Sequence, residues 1–428
     1  MAETPIRDPG NAKAMSVLIA STVAFTVCFM VWMVFAVLGI PIKNQLNLTE
    51  TQFGLLAATP VLTGSLVRVP LGIWTDRYGG RIVFFLIMIV SVIPVYLLAY
   101  ATEFWQFLVL GLFVGLVGGS FSVGTPYVAR WFSRDRQGLA MGVFGAGNAG
   151  SSLTKMLAPW LIAVAGGAAV ANSWTIVPKV YAAILLGTAI LFWLFSATNP
   201  NHLVTGSKAS FSQQLALLKD PRVLRYCQYY SVVFGGYVAL ALWMTKYYMG
   251  EYEFSLELAA LLAVCFSLPG GVLRAIGGWM SDRYGAYKTT WWVMWVIWVC
   301  CFILSYPPTD FTMKGVNGPI SLHIGLNAWV FTVLLFIVGI AMAIGKASVF
   351  KFISDEFTDN IGAVSGIVGL AGGLGGFILP IMFGALLDWT GIRSSAFMLL
   401  YGTVCVSLIC MHYSFRPEIA KSAAQASA

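Results

Sequence analysis

The sequence contains little charge. Of its 428 residues only 10% are Asp, Glu, Lys or Arg, whereas 59% are hydrophobic and the mean hydropathy is +0.82. Soluble domains usually carry about 25% charged residues, so this composition argues against a soluble fold. About twelve apolar stretches are each long enough to cross a hydrocarbon core of roughly 30 Å, and in lipid they must be helical to satisfy their own backbone. The predicted spans are 15–40, 52–74, 82–101, 105–129, 138–165, 178–197, 225–249, 256–280, 289–305, 326–350, 361–387 and 394–414.

Catalytic and metal-binding patterns are also lacking. All seventeen acidic residues lie in predicted tails, loops or helix ends, and the three histidines lie in loops (His202, His323) or near the end of the last span (His412). The seven cysteines lie in predicted helices, without the spacing of a zinc site or a loop disulfide. There is no HExxH, no GxSxG and no pair of intramembrane carboxylates. We therefore expect no enzyme activity, no metal and no cofactor.

The positive charge is unevenly distributed. The formal net charge is +8 and the pI is about 9.1. If the N-terminus is cytoplasmic, sixteen Lys and Arg residues fall on cytoplasmic segments, five on the opposite side and four inside spans. This is the positive-inside bias of membrane proteins. It predicts a multi-pass membrane protein, surrounded by lipid, with both termini cytoplasmic and no nucleic-acid partner. The first apolar run is too long for a signal peptide, so no cleaved signal is expected.

The chain contains an internal repeat. Asp-Arg-Tyr-Gly occurs at 76–79 and again 206 residues later at 282–285, and a glycine-rich segment at 138–150 resembles 362–373, at an offset of 224. The 18 extra residues fit a longer loop at 306–325. The repeat predicts an all-α integral membrane protein with 12 transmembrane helices in two pseudo-symmetric six-helix bundles. The expected parts are a tail at 1–14, a first bundle at 15–197, a linker at 198–224, a second bundle at 225–414 and a tail at 415–428.

Two arginines occupy matching positions in this repeat. Arg68 and Arg274 each lie in an apolar stretch, eight residues before an aspartate of the repeated motif. At about 1.5 Å per residue, both lie about 12 Å along their helices from those aspartates, at similar depth. A charge at mid-membrane costs roughly 2.5–3.5 kcal/mol and usually marks a substrate path. Because the spans offer no acid for an ion pair, the two planar guanidinium groups predict a small anion held between the halves. The alternative is that each arginine reaches out to the cytoplasmic membrane surface or hydrogen-bonds to backbone carbonyls.

Three further side chains are candidates for the same site. Asn148 lies in a GxGxxG run that is inside an apolar helix, where glycines suit helix contacts and not nucleotide binding. Its amide offers both donors and an acceptor. Tyr230 and Phe234 are four residues apart and therefore share a helix face, on which a planar anion can stack. The alternative for all three is a packing role.

The segment from Gly72 to Arg81 resembles the loop motif between the second and third spans of the major facilitator superfamily. This resemblance implies two parallel six-span halves with a binding site at mid-depth between them. We expect the motif to belong to the inside gate, with Gly72 allowing close helix approach and Asp76 facing a helix N-terminus. The residues of this gate are expected to be Gly72, Asp76, Arg77 and Arg81 and, from the second copy, Asp282 and Arg283.

Taken together, these features resemble the NarK-like nitrate/nitrite porters along essentially the whole chain. The resemblance implies that Arg68 and Arg274 clamp the anion, that Asn148 and Tyr230 hydrogen-bond to it, and that Phe234 packs on its plane. It implies nitrate import by alternating access and, by analogy with the superfamily, a monomer. It also implies a place in the bacterial plasma (inner) membrane and gating by glycines of spans five and eleven: Gly145, Gly147, Gly150, Gly369, Gly372 and Gly373. The span-eleven run lacks an equivalent of Asn148, so we expect its role to be purely mechanical.

Two lysines bear on how transport is driven. Lys155 stands seven residues after Asn148, where exchanger-type members of the family carry an uncharged polar residue, and Lys346 lies in span ten. A buried amine can exchange a proton near working pH, so both are proton-coupling candidates and favour nitrate/proton symport. Several alternatives stay open. Lys155 can reach outward to the membrane surface, and the carrier can exchange nitrate for nitrite or carry another small anion such as formate or oxalate.

Overall fold

The computed structural model describes residues 11–167, 170, 172–198, 217–316, 318–357 and 361–426. The α-helices of the first half are α1 (Asn11–Trp32), α2 (Phe35–Leu46), α3 (Glu50–Leu66), α4 (Arg68–Tyr78), α5 (Gly80–Leu97), α6 (Phe104–Val114), α7 (Ser120–Ala129), α8 (Arg134–Gly145), α9 (Gly150–Val164) and α10 (Ile176–Phe195). Those of the second half are α11 (Pro221–Tyr230), α12 (Gly236–Tyr252), α13 (Leu256–Val272), α14 (Arg274–Tyr284), α15 (Ala286–Leu304), α16 (Ala328–Glu356), α17 (Ile361–Thr390) and α18 (Ser395–Ala426).

Many of these helices are long and apolar enough to cross a membrane. Among the described residues, eight helical segments meet that condition, and up to ten do if each of two bent pairs is one span. The two other predicted spans, 138–165 and 225–249, fall on α8–α9 and α11–α12. A 3₁₀ turn (Ala146–Ala149) interrupts the first of these, and a π-helical turn (Ser231–Gly235) interrupts the second. The all-α membrane fold is confirmed, while the count of twelve stays a prediction.

The two bent pairs are the same feature in each half. The chain bends by 41° between α3 and α4 and by 47° between α13 and α14. Pro70 has no N–H to bond the carbonyl of Leu66, and Pro269 precedes the second bend, so the helical ladder is weakened at both places. Arg68 and Arg274 are the first residues after the two bends. The repeat therefore extends to the backbone distortion beside each arginine.

The two halves meet along a seam, in which α2 packs on α12, α3 on α17 and α9 on α13. Gly54 lies against the backbone of Pro380, and Gly384 lies against the backbone of Glu50, so neither position leaves room for a side chain. We call this end of the seam, which includes Asp388, the capped end. The opposite end, which holds Asp76 and Asp282, is the motif end.

Three glycines toward the motif end are less crowded. A β-carbon added at Gly72, Gly278 or Gly366 would have no neighbour within 4 Å, apart from the adjacent backbone of its own helix. The expectation that Gly72 allows a close helix approach is therefore wrong for this conformation. These three open positions contrast with the tight contacts that Gly54 and Gly384 make across the seam at the capped end.

Some predicted boundaries differ from the structure. The expected loop at 306–325 contains an antiparallel hairpin of β1 (Thr309–Gly315) and β2 (Gly318–Ile324), so His323 lies in a strand. The last helix continues to Ala426, beyond the expected end of its span at 414. Most of the expected linker, 199–216, lies outside the described residues, as does the tail up to residue 10.

Candidate anion-binding site

A small cavity in the seam brings together all five residues that the sequence predicts to bind the substrate. Its lining consists of Arg68, Asn148, Tyr230, Phe234 and Arg274, together with Phe25, Phe29, Gly118 and Phe121. The cavity volume of about 10 Å³ is close to the minimum of roughly 10–15 Å³ that one water molecule requires. Anything larger than a water molecule would require the walls to move apart.

Arg68 reaches this cavity from the first residue of α4. Its residue surface is only 9% exposed, and its Nη1 donates to the carbonyl oxygen of Gly369 at 2.9 Å. The guanidinium carbon lies 5.2 Å from the centroid of the Phe234 ring. Its Nε is buried without a hydrogen-bond partner. A buried donor without a partner is costly, so Arg68 retains capacity for an acceptor that enters the cavity.

Arg274 approaches from the first residue of α14. Its guanidinium carbon lies 5.4 Å from the ring centroid of Phe121 and 5.2 Å from that of Phe350. Within the described part of the chain, neither Arg274 nor Arg68 forms an ion pair with a carboxylate. The two guanidinium groups are thus held by aromatic rings and a backbone carbonyl, which leaves their positive charge available to a ligand.

Tyr230 and Phe234 form one wall of the cavity. Their rings are stacked, with centroids 5.2 Å apart and planes only 6° from parallel, and the Phe350 ring meets Tyr230 edge-on at 5.0 Å. The π-helical turn Ser231–Gly235 lies in the segment that joins them. The predicted shared face is therefore present, and the two rings also pack on each other.

Asn148 lies in the 3₁₀ turn and is 2% exposed. Its Nδ2 donates to the carbonyl oxygen of Gly145 at 3.0 Å. One of its donors therefore stabilises the turn. Asn148 therefore both stabilises the turn and lines the cavity.

The glycines of span five allow close packing within the first half. A β-carbon at Gly147 would collide with the ring of Phe25, and one at Gly150 would collide with the backbone of α1 at Thr26. Gly145 is less crowded, since its nearest neighbour of this kind is Cδ of Arg274 at 4.0 Å. These contacts explain why small residues are required at Gly147 and Gly150.

The glycines of span eleven lie against the binding residues. A β-carbon at Gly372 would collide with the ring of Tyr230, and one at Gly373 would collide with the side chain of Ser65. Gly369 supplies the carbonyl that holds Arg68. The expectation of a purely mechanical role is therefore wrong for Gly369, because its backbone positions a residue of the cavity.

Both candidate lysines are buried, at 1% exposure each. Lys155 donates from Nζ to the carbonyl oxygen of Ser151 at 3.0 Å, so the alternative that it reaches the membrane surface does not hold. Lys346 donates from Nζ to the carbonyl oxygen of Gly270 at 2.7 Å and lies 3.3 Å from the centroid of the Tyr237 ring. No carboxylate forms an ion pair with either amine among the residues described.

The aspartates of the repeated motif form matching ion pairs. Asp76 pairs with Arg130, which follows α7, and Asp282 pairs with Lys351 near the end of α16 at 3.3 Å. The expectation that Asp76 faces a helix N-terminus is therefore wrong, since its partner is a cation just beyond the C-terminus of α7. Each pair joins two helices of the same half.

The motif arginines also make contacts within their own half. Arg81 donates to the hydroxyl of Ser196 at 3.2 Å and to the carbonyl oxygen of Trp193 at 2.6 Å. The guanidinium carbon of Arg77 lies 5.3 Å from the ring centroid of Tyr78, and that of Arg283 lies 5.7 Å from those of Trp279 and Tyr284.

The polar contacts of the capped end were not predicted from the sequence. Asp388 in the last turn of α17 accepts from the backbone N–H of Glu50 at 3.0 Å, from the backbone N–H of Thr51 at 2.8 Å and from the Thr51 hydroxyl at 2.6 Å. Lys246 of α12 forms an ion pair with Glu50. These bonds join the halves through the N-terminus of α3, where the helix dipole favours a carboxylate. Their only sequence signal is a charged residue near a helix end.

A bundle of membrane-length helices around a small cationic cavity defines a multi-pass membrane transporter, and the comparisons agree. The model of the Major Facilitator Superfamily matches residues 20–326. The crystal structure of the nucleoside transporter NupG has a TM-score of 0.71 at 14% identity and covers 94% of this chain and 100% of its own. A bacterial homolog of the human lysosomal transporter Spinster, in an inward-facing and occupied conformation, has a TM-score of 0.67 at 16% identity and 96% coverage of both chains.

Proteins that are similar in sequence indicate a narrower family. A probable nitrate/nitrite antiporter, NarK1 of Thermus thermophilus, is 39% identical over 95% of this chain and 94% of its own. A probable nitrate transporter, NarT of Staphylococcus aureus (strain bovine RF122 / ET3-1), is 30% identical over 94% of this chain and 96% of its own. The chain belongs to the NarK-like nitrate/nitrite transporter family of the major facilitator superfamily. Its relatives are transporters and not enzymes.

Proposed function

We propose that this protein is a secondary active transporter that imports nitrate, with Arg68 and Arg274 as the two sides of an anion clamp. The observation that carries the proposal is the cavity that both arginines line without a carboxylate partner in the described part of the chain. A planar oxyanion fits two guanidinium groups through paired N–H donors. In this account Asn148 and Tyr230 donate further hydrogen bonds and Phe234 packs on the plane of the anion.

The anion also offsets the charge of the clamp. Two cations in a closed, apolar cavity repel each other and are expensive to remove from water. One nitrate between them lowers that cost, so the loaded carrier closes more easily than the empty one. Gly373, which lies against Ser65 of the opposite half, lets the two bundles (15–197 and 225–414) approach and move past one another. Gly147, Gly150 and Gly372 lie at tight contacts within their own bundles, where they let neighbouring helices shift as the halves move.

We assign the motif end to the cytoplasm and the capped end to the outside of a bacterial inner membrane. The Asp388 and Lys246 bonds then form the outer closure, and the conformation is closed to the outside. When the carrier turns outward, the motif residues would close the inner end: Gly72, Asp76, Arg77, Arg81, Asp282 and Arg283. Both termini are cytoplasmic in this arrangement.

Nitrate entry must be driven, because moving an anion into a negative cytoplasm costs about 2.3 kcal/mol per 100 mV for each charge. We propose symport with protons, more than one for each nitrate if the membrane potential is to help. Lys155 and Lys346 are the proton-coupling residues, since both are buried amines without a carboxylate partner among the residues described. The chain acts as a monomer.

Nitrate/nitrite exchange is the second candidate, because the Thermus thermophilus relative is named a probable antiporter. Uptake into proteoliposomes separates the two. The symport proposal predicts that an imposed inward pH gradient drives nitrate uptake into vesicles without internal nitrite. Uptake that needs internal nitrite and ignores the gradient would establish exchange instead. Excess formate or oxalate is expected to compete weakly, and stronger competition by either would reassign the substrate.

A further inference from the structure

Tyr237 connects one of the proposed proton-coupling lysines to the opposite half of the protein. It lies in α12, is fully buried, and its ring is the surface against which the Lys346 ammonium rests, 3.3 Å from the ring centroid. Its hydroxyl lies 3.0 Å from Oγ of Ser151 in α9, across the seam, and donates to the carbonyl oxygen of Ser267 at 2.8 Å. The face of the Tyr237 ring therefore contacts the Lys346 ammonium, and the Tyr237 hydroxyl contacts the first half of the protein.

The hydroxyl contact across the seam can break readily. Oγ of Ser151 also lies 3.2 Å from the carbonyl oxygen of Asn148, a residue of the anion cavity. The two hydroxyls supply two protons for three contacts, since each O–H donates once. One contact is always without a proton, so a small movement can exchange one hydrogen bond for another. The bond between Ser151 and Tyr237 must break when α9 and α12 separate.

The environment of Lys346 makes Tyr237 its main aromatic support. Among the described residues the ionisable groups that face Lys346 are Tyr237 on α12 and Arg274 on α14, and no carboxylate pairs with it. Phe234 of the anion cavity lies farther away, with its ring centroid 6.0 Å from Nζ. A desolvated cation over an aromatic ring is stabilised by the negative charge density of the ring face. A proton on Lys346 therefore favours the observed position of the Tyr237 ring.

We propose that Tyr237 is the positioning residue that links the proton on Lys346 to closure of the seam. This inference rests on the proposed symport. When a proton from solution binds the Lys346 amine, the ammonium holds the Tyr237 ring and so presents the hydroxyl to Ser151. When the proton leaves, the ring loses this attraction and the link across the seam weakens. Ser151 adjoins the anion cavity through Asn148, and Lys346 adjoins it through Phe234. The anion and the proton therefore act on the same contact between Ser151 and Tyr237.

The test is transport by Tyr237→Phe, which retains the ring and removes the hydroxyl. We expect nitrate binding within about twofold of wild type and nitrate exchange between vesicle interior and medium to continue. Uptake driven by an imposed pH gradient should fall at least tenfold, because closure no longer depends on the proton. Ser151→Ala removes the other partner and should give the same separation of exchange from gradient-driven uptake.

Tyr248→Phe is the matched control, since Tyr248 is a buried tyrosine of the same helix whose hydroxyl bonds Thr332 within its own half. It should retain gradient-driven uptake. Wild-type gradient-driven uptake in both Tyr237→Phe and Ser151→Ala would overturn the role of Tyr237 while leaving symport intact. A wild-type protein that shows exchange but no gradient-driven uptake would overturn the symport proposal and this inference together.

A third variant tests the ring itself. Tyr237→Leu removes the aromatic face, so the protonated Lys346 loses its support and nitrate binding should require a more acidic medium. A pH profile of nitrate binding equal to that of Tyr237→Phe would contradict a role for the ring in holding the ammonium.

Discussion

Arg68 of the first half donates to the carbonyl oxygen of Gly369 in the second half, with Nη1 and O separated by 2.9 Å. One side of the proposed clamp is therefore positioned by the opposite bundle. A rocking motion moves one bundle against the other. The bond between Arg68 and Gly369 must therefore break during the proposed transport cycle. In the proposed mechanism, anion binding and the movement of the halves would therefore both involve Arg68.

The Tyr230 hydroxyl should contribute to anion binding. Removing a hydrogen bond to a charged group costs about 1.5–3 kcal/mol, so Tyr230→Phe should weaken nitrate binding roughly 10- to 100-fold. Isothermal titration of purified protein measures this directly. The matched control is Tyr229→Phe, because Tyr229 is a neighbouring buried tyrosine whose hydroxyl lacks a partner among the described residues and does not line the cavity. Equal affinities for the two variants would exclude Tyr230 as a donor.

A methyl group at Gly372 should distort the aromatic wall. The added carbon would collide with the Tyr230 ring, and overpacking of this kind typically costs about 1–3 kcal/mol. Gly372→Ala should therefore lower thermal stability and reduce nitrate affinity at least tenfold. Gly402→Ala, where the added carbon meets nothing within 4 Å, should change neither. An unaltered affinity in Gly372→Ala would show that the stacked wall can move without loss.

Asp388 should hold the capped end closed. Asp388→Ala removes the acceptor for two backbone N–H groups of α3, and loss of a cap of this kind costs about 1–2 kcal/mol. The population that is open at the capped end should rise about 5- to 30-fold, which distance measurements between spin labels on the two halves can detect. Asp310→Ala, on the exposed hairpin, is the control. Distances identical to wild type in the Asp388 variant would remove it from the outer closure.

The sequence predicted the fold well because lipid imposes a simple rule. The length of an apolar stretch indicates a spanning helix, and the repeated Asp-Arg-Tyr-Gly motif indicates two related halves. The matching depth of Arg68 and Arg274 followed from counting along each helix, and the cavity that they share agrees with that count. Helix periodicity likewise put Tyr230 and Phe234 on one face.

Contacts between distant parts of the chain could not be predicted in this way. Asp388 bonds residues 337 and 338 positions away, and no pattern in the sequence pairs them. The carbonyl of Gly369 has no sequence signature, because every residue carries one. Asp76 was assigned to a helix N-terminus since the dipole favours that position, but Arg130 offers it a full charge. The hairpin at 309–324 was missed because the pairs Pro307-Pro308 and Gly318-Pro319 are typical of a loop, and the second pair lies inside the hairpin.

In the proposed mechanism two guanidinium groups hold the anion, and the nitrate affinities of Arg68→Lys and Arg274→Lys measure what each contributes. Lysine keeps the charge but cannot form paired, planar N–H contacts. We predict that each substitution weakens nitrate binding by about 1.5–3 kcal/mol, or roughly 10- to 100-fold. Arg222→Lys, at the start of α11 and away from the cavity, should bind as wild type does. Near-normal affinity in either cavity variant would contradict the clamp.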